Sequence, residues 1–388
     1  MKILYSAPNR AHHYIYAKGL FQRGGLYKFI SGFSRLSKRS PITEPGFPMI
    51  KADLLQSLYV LSLRLPVGYR FQRQLAYWAK LEQDVVLSRY VPGSDLILFY
   101  NGCGLRSLQR ARKLGVVSVV EVVNSHIAYQ EELLQEEYKR LRLTWQGSPK
   151  REVKRRIAEY DLADYILVPS EFVRQSFLEK GFPESKLLKV PYGFSLPEVR
   201  PVKRGSDSVI EVLYVGSISV RKGLRYLIQA LSLLQDLPIR LKLVGPQAKV
   251  SGIADLQLPD NVQFTGVLKG EALEQAYRGA DVFCLPTLED GFGLVLGEAL
   301  SYGLPVITTT NSGGMDLLTD GEEGFIVPIQ SAEAIAEKLR ILATDTALRD
   351  TMSRKAFEQA SALDGWAESL SRLTAVLKAC LQLKSQDE

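Results

Sequence analysis

Two short segments in the second half of this 388-residue chain place glycines, cations and carboxylates at spacings suited to a phosphorylated ligand. The first runs from Pro286 to Ser301 and reads Pro-Thr-Leu-Glu-Asp-Gly-Phe-Gly-Leu-Val-Leu-Gly-Glu-Ala-Leu-Ser. An apolar run ends at Leu285, Gly291 and Gly293 open a loop, and a helical pattern begins near Gly293. Backbone N–H groups in such a loop and at a helix N-terminus can point at an anion, and glycine lets a phosphate come close. Glu298 falls about one and a half turns into that helix, roughly 7 Å from the phosphate position at ~1.5 Å rise per residue, within reach of a ribose diol. Asp290 stands at the loop entrance. The bland reading makes Asp290 a helix N-cap and Glu298 a solvated residue.

The second segment, Val215-Gly216-Ser217-Ile218-Ser219-Val220-Arg221-Lys222-Gly223, is another strand, loop and helix start, and it closes on two adjacent cations. Cations at a helix N-terminus oppose the macrodipole, so Arg221 and Lys222 call for an anion nearby. A diphosphate between the two loops satisfies both; solvation, or a neighbouring carboxylate, is the alternative.

Three histidines are present. His126 follows the apolar run Val116–Val123, at the carboxyl end where open α/β sheets place ligands. His12 and His13 lie in Pro8-Asn9-Arg10-Ala11-His12-His13, where Arg10 or His12 faces a ligand or His12 is structural. There is no Asp-x-Asp pair and no His/Cys cluster, so no metal site is expected. Cys103, Cys284 and Cys380 are odd in number and far apart, which predicts a reducing, cytoplasmic setting.

The elements that must carry these residues are legible as alternation. Apolar runs at Lys2–Ala7, Leu96–Tyr100, Val116–Val123, Tyr165–Val168 and Leu187–Pro191 precede a more regular set at Ile210–Gly216, Arg240–Gly245, Val262–Thr265, Val282–Leu285, Val306–Thr309 and Phe325–Pro328. Helical-length segments intervene, such as Leu224–Leu234 with Leu224, Leu227, Ile228, Leu231 and Leu234 on one face. The pattern predicts an α/β protein of two doubly wound units. The turn-rich stretch Pro197–Ser208 marks the seam, giving domains 1–200 and 201–361 and a C-terminal segment 362–388 whose helix pattern, Ala362–Leu383, returns to the first domain. Residues 32–90 show no clear strand, and Leu54–Leu65 and Phe71–Leu87 read as helices with cations on one side and Leu, Tyr and Trp on the other.

Hydrophobic residues at 46% and charged residues at 23% exclude a disordered chain. No run reaches the ~20 apolar residues of a membrane span, and the N-terminus enters a strand-like pattern where a signal peptide would differ. The net charge of +7 is uneven: residues 1–80 carry 13 Lys/Arg against 2 Asp/Glu, and residues 200–388 carry 19 against 24. The basic end suits a polyanionic acceptor or an anionic membrane surface, or consists of ordinary helices with solvated outer faces. Nucleic acid is not expected as a partner, because no recognition motif accompanies the charge.

Taken in order, these motifs resemble the donor-binding domain of retaining GT-B glycosyltransferases of family 4, in a bacterial branch. Asp290-Gly291-Phe292-Gly293 through Glu298 is similar to the family's Glu-x7-Glu element, and Val215–Gly223 to its strand and Arg/Lys loop. Asn261–Gly266 is similar to the segment flanking the base pocket, and Ser312-Gly313-Gly314, Asp320-Gly321 and Gly324–Pro328 to the closing loop. The resemblance covers roughly 210–330. It implies two Rossmann-like domains facing across a cleft and a UDP- or GDP-linked sugar donor, with no further cofactor and no metal. It also implies retaining hexosyl transfer to a glycan, glycolipid or other hydroxyl acceptor, with same-face attack and the leaving phosphate as base. Catalytic roles fall on His126, Asp290 and Glu298. Donor contacts fall on Gly216, Ser217, Arg221, Lys222, Gly266, Gly291, Phe292, Gly293, Leu294 and Glu298. Asp290 is one methylene shorter than the family's first Glu, Ser217 stands where Arg is frequent, and the glycine pair of the first strand-to-helix loop is missing. An inactive scaffold of this fold, or a peripheral membrane-binding protein, is the alternative.

Overall fold

Val, Ile, Leu and Phe fill most strand positions on both faces, so each strand needs helices above and below it. The computed structural model describes residues 1–36, 44–197, 209–248, 252–256, 258–363 and 365–387. Of the expected seam Pro197–Ser208, only Pro197 falls among them.

The first sheet holds β1 (Ile3–Ala7), β2 (Leu26–Ser31), β3 (Met49–Lys51), β4 (Leu96–Tyr100), β5 (Val117–Glu121), β6 (Tyr165–Val168) and β7 (Leu187–Lys189). Its order is β3-β2-β1-β4-β5-β6-β7, all parallel. Around it lie α1 (His13–Gln22), α2 (Leu54–Ser62), α3 (Tyr69–Tyr90), α4 (Leu105–Lys113), α5 (Ile127–Arg140), α6 (Lys150–Leu162) and α7 (Glu171–Leu178). The second sheet holds β8 (Ile210–Val215), β9 (Ile239–Val244), β10 (Val262–Gly266), β11 (Val282–Leu285), β12 (Val306–Thr309) and β13 (Gly324–Val327). These are also parallel and run in the order β10-β9-β8-β11-β12-β13. Its helices are α8 (Leu224–Ser232), α9 (Glu271–Arg278), α10 (Leu294–Ser301), α11 (Gly314–Leu317), α12 (Ala332–Thr344), α13 (Thr346–Ala362) and α14 (Gly365–Asp387). Two Rossmann-like units are thus present, as expected.

Three expectations need correction. The segment 32–90 does contain a strand, β3, a three-residue edge after Pro48 too short to show a period. β2 was not expected either; Lys28 interrupts its apolar run. The last helix begins at Gly365, while Ala362 closes α13. The break comes at Gly365, whose φ of +49° turns the chain.

α14 leaves the second domain and packs on α1, where Ser369 Oγ lies 3.0 Å from Tyr16 Oη. Gly193 is pressed against Gly365 and Trp366, so a Cβ there would meet the Gly365 carbonyl oxygen at 2.5 Å. The chain therefore crosses between domains twice at one place. Tyr192 and Phe194 at this crossing join the core of the first sheet to that of the second.

Candidate active site at the domain cleft

The Arg221/Lys222 pair rides on a single 3-10 turn, Val220–Lys222, after β8. Gly223 closes that turn with φ +63°, and a Cβ there would lie 2.0 Å from the Pro286 carbonyl oxygen. Only glycine lets the turn sit this close to the chain leaving β11. Leu288 N–H then donates to the Arg221 carbonyl at 2.9 Å. The two segments singled out in the sequence are thereby locked side by side at the carboxyl ends of neighbouring strands.

In this arrangement each cation has a carboxylate. Lys222 Nζ donates to Asp290, and Arg221 Nη1 donates to Glu289 Oε2 at 3.1 Å and to the Glu289 carbonyl at 2.8 Å. Burial pushes the Asp290 carboxyl up, but Lys222 and Arg221 outweigh it and hold the group below its usual range. Of the two alternatives to a diphosphate, solvation and a neighbouring carboxylate, the carboxylate is the one seen. Asp290 is not a helix cap: Gly293 is the N-cap of α10, with φ +74°. Lys222 is largely covered, whereas the Arg221 side chain keeps 33% of its surface.

Glu289 was missed in the sequence, although it is wholly buried and holds the two domains together. Its carboxylate accepts from Ser125 N–H and Ser125 Oγ, both at 2.9 Å, and from Gln130 Nε2 at 2.7 Å. The doubled acid Glu289-Asp290 was the available signal. Next to it, a Cβ on Gly291 would lie 1.9 Å from the Val123 carbonyl oxygen, and Ser170 Oγ donates to the Gly291 carbonyl at 2.6 Å. Phe292 is buried, and its ring meets Tyr192 edge-on at 5.4 Å. The loop Glu289–Phe292 is thus seated in the first domain as well as the second.

Glu298 lies apart from the cations. It faces α9, accepting from Tyr277 Oη at 2.8 Å; burial raises its pKa, against the effect of that bond. It lines a groove of 520 Å³ with Leu273, Glu274, Tyr277, Arg278, Tyr302 and Ser195–Pro197. Gly266, exposed with φ +71°, ends β10 five residues before the start of α9. Gly216 N–H donates to Val244, and Ser217 takes the Tyr214 hydroxyl on its carbonyl at 2.8 Å. Leu294 is the half-buried first residue of α10.

His126 corrects an expectation. It is 3% exposed and N-caps α5, its Nδ1 accepting from Ala128 N–H at 3.2 Å. Its ring is surrounded by Tyr160, Phe177 and Phe182. Burial, and then Lys180, push its pKa down to about 4, so it is neutral. The ring belongs to the core of the first domain, while its neighbours Asn124 and Ser125 face the cleft. His12 is likewise buried: Nε2 lies 2.7 Å from Glu121 Oε1, and the ring stacks on Tyr192 at 4.0 Å. His12, His13 and Glu121 bring one ligand atom each within 4.8 Å of one another, a cluster that could hold an ion. Local spacing hid it, since Glu121 comes from β5. Here these groups bond one another, with Tyr5 Oη donating to Glu121 at 2.9 Å.

Between the domains, above Arg221, a cavity of 390 Å³ is lined by Arg73, Asn124, Gln130, Glu131, Leu134, Trp145, Gly147, Ser148 and Glu152. Cationic on one wall and carrying two carboxylates and an indole on the other, it offers both donors and acceptors to a polyhydroxylated ligand.

Residues 198–359 match the family model described as Glycosyl transferases group 1. The sulfoquinovosyl transferase SQD2 of Arabidopsis thaliana is 28% identical over 225 residues, 54% of this chain and 44% of its own. A D-inositol 3-phosphate glycosyltransferase of Streptomyces avermitilis is 31% identical over 237 residues, 55% of this chain and 50% of its own. The chain spans about half the length of these curated relatives. Among solved structures, sucrose-phosphate synthase from Thermosynechococcus elongatus superposes with a TM-score of 0.73 at 20% identity, covering 99% of this chain and 100% of that one. HepE from Anabaena, solved in complex with UDP, gives 0.66 at 16% identity, covering 98% and 100%. The fold is that of GT-B glycosyltransferases, and the second domain carries the group 1 segment.

Proposed function

We propose that this protein is a retaining family 4 glycosyltransferase that moves a hexosyl unit from a UDP- or GDP-linked sugar to a hydroxyl acceptor. The observation that carries the reading is the Arg221/Lys222 turn locked against the loop Glu289–Gly293, both at the carboxyl ends of central strands and roofed by the opposite domain. In this reading the diphosphate lies on that turn and on the first amides of α10, and the nucleoside runs toward Glu298 and the groove beside α9. The solved UDP complex of HepE, which shares the fold, supports a nucleotide in this cleft.

When the bond from the anomeric carbon to the diphosphate oxygen breaks, the electron pair leaves with the diphosphate. Arg221, Lys222 and the α10 N-terminus meet the charge that develops there, taking the part a metal plays elsewhere. The acceptor hydroxyl attacks from the same face and gives its proton to a phosphate oxygen of the leaving group. Asp290, anchored by Lys222, orients the transferred sugar. The cavity above Arg221 receives the acceptor, a glycan or a glycolipid. We place the reaction in the cytoplasm, a reading supported by three buried, free cysteines.

The test is titration of the purified protein with UDP, GDP and ADP, followed by a panel of sugar donors scored for transfer and for the anomer formed. Saturable binding of one nucleoside diphosphate and a product of unchanged anomeric configuration are expected. Absence of binding to all three would refute the reading.

A further inference from the structure

α2 and α3 form a helical hairpin on the outside of the first domain, α2 packing on α3. A helix packed on one side buries its large apolar residues there, yet here they face outward. Leu54, Leu58 and Leu61 lie at i, i+4 and i+7 on α2, and each is 44–59% exposed. The turn that follows and the start of α3 continue the pattern: Leu63 and Leu65, then Tyr69 and Phe71, are exposed. Together with Trp78 these make eight of the 18 large apolar side chains exposed among the described residues, gathered within 25 positions. A patch of this kind marks a surface that is covered in use.

Charge says what covers it. From residue 54 to residue 81 there is no Asp or Glu, and Arg64 and Arg70 stand at the tip itself; at the far end of the hairpin Lys80 is paired with Glu152, and Glu82 accepts from the Leu54 and Leu55 amides. The two acids of residues 1–80 are already engaged, Asp53 by Arg35 and Glu44 by Lys18. An apolar tip that carries Arg64 and Arg70 and no acid of its own complements a surface that is greasy inside and anionic at its face. None of the described helices is long and apolar enough to cross a bilayer, so the contact is one of lying on the membrane.

We propose that the α2–α3 tip, Leu54–Phe71, docks the protein on an anionic phospholipid bilayer. Arg73, two residues beyond Phe71, already lines the interdomain cavity, so docking sets the mouth of that cavity at the lipid headgroups. Resting on the transferase reading above, this makes the acceptor a hydroxyl carried by a membrane lipid.

The test is co-sedimentation of the full chain with vesicles of equimolar phosphatidylcholine and phosphatidylglycerol, against vesicles of phosphatidylcholine alone. Binding is expected only to the anionic vesicles, and is lost near 1 M salt, where the screening length shrinks to about 3 Å. Each cation near such a surface strengthens binding by about fivefold, so R64E/R70E should weaken it by roughly thirtyfold or more. The L58S/L61S/L65S variant should abolish it, whereas L114S/L233S, at exposed sites elsewhere, should not. UDP-induced thermal stabilisation of every variant, measured without vesicles, shows that each is folded and reports on the transferase reading separately. The proposal fails if the wild type ignores anionic vesicles, or if L58S/L61S/L65S binds them as the wild type does. It also fails if gel filtration shows a dimer that this variant abolishes while vesicles are not bound.

Discussion

Lys222 and Arg221 are neighbours in sequence but serve different carboxylates, and the difference sets what each substitution does. Lys222 is covered and tied to Asp290, so Lys222→Ala removes that partner of Asp290 and, on the proposed reading, a phosphate contact. A hydrogen bond to a charged group is worth about 1.5–3 kcal/mol, so nucleoside diphosphate affinity measured by calorimetry should fall roughly 10- to 100-fold. Glu298→Ala should cut turnover with little change in melting temperature, since its partner Tyr277 still packs flat against Tyr302. His126 belongs to a different account. Its imidazole, held near pKa 4 when folded, returns to about 6.5 on unfolding. Between those values the unfolded chain binds more protons, so stability is complete above about pH 6.5 and declines toward pH 4. His126→Asn keeps an N-cap acceptor and removes the titration. Melting curves across that range should slope less steeply than in the wild type, with nucleotide binding intact.

At the level of elements, the glycines of the cleft are spacing devices. Gly291→Ala would drive a methyl into the Val123 carbonyl of the opposite domain, at 1.9 Å before relaxation. Overpacking of this kind costs about 1–3 kcal/mol. Because the clash is between domains, small-angle scattering should show a larger radius of gyration while circular dichroism stays unchanged. The same interface shows what sequence reading reaches. The central strands of both sheets were legible because their apolar runs are continuous and bounded by glycine or proline. The strands β2 and β3, at one side of the first sheet, were not, since Lys28 and a three-residue length erase the period. In the site, Arg221, Lys222, Asp290 and the two loop glycines were visible because one local stretch carries each group. Glu289 and the His12–Glu121 pair were hidden for the opposite reason: their partners, Ser125, Gln130 and β5, come from distant parts of the chain. His126 was misplaced because its position after β5 fixes where its backbone lies, not which way its ring turns.

Across the whole molecule, the two domains are held together by more than the loop Glu289–Phe292. Asp316 accepts from Glu171 N–H at 2.7 Å and from Lys189 at 3.0 Å, and Glu137 takes both the Tyr226 hydroxyl and Gln330 Nε2 at 2.7 Å. A ligand that binds only the folded protein stabilises it by about 2.7 kcal/mol at a hundred times its dissociation constant, and the melting temperature in calorimetric scans with a saturating nucleotide should rise accordingly. The placement of α14 bears on how the protein is made. Tyr16 and Gly19 on α1 rest against Ser369 and Leu370 of α14, so the first domain lacks part of its cover until α14 leaves the ribosome. At about 5–20 residues per second that wait lasts roughly 20–70 s. Through it a bare apolar stripe is exposed to chaperones and to other nascent chains, and a gene cut at the domain seam would leave it exposed for good.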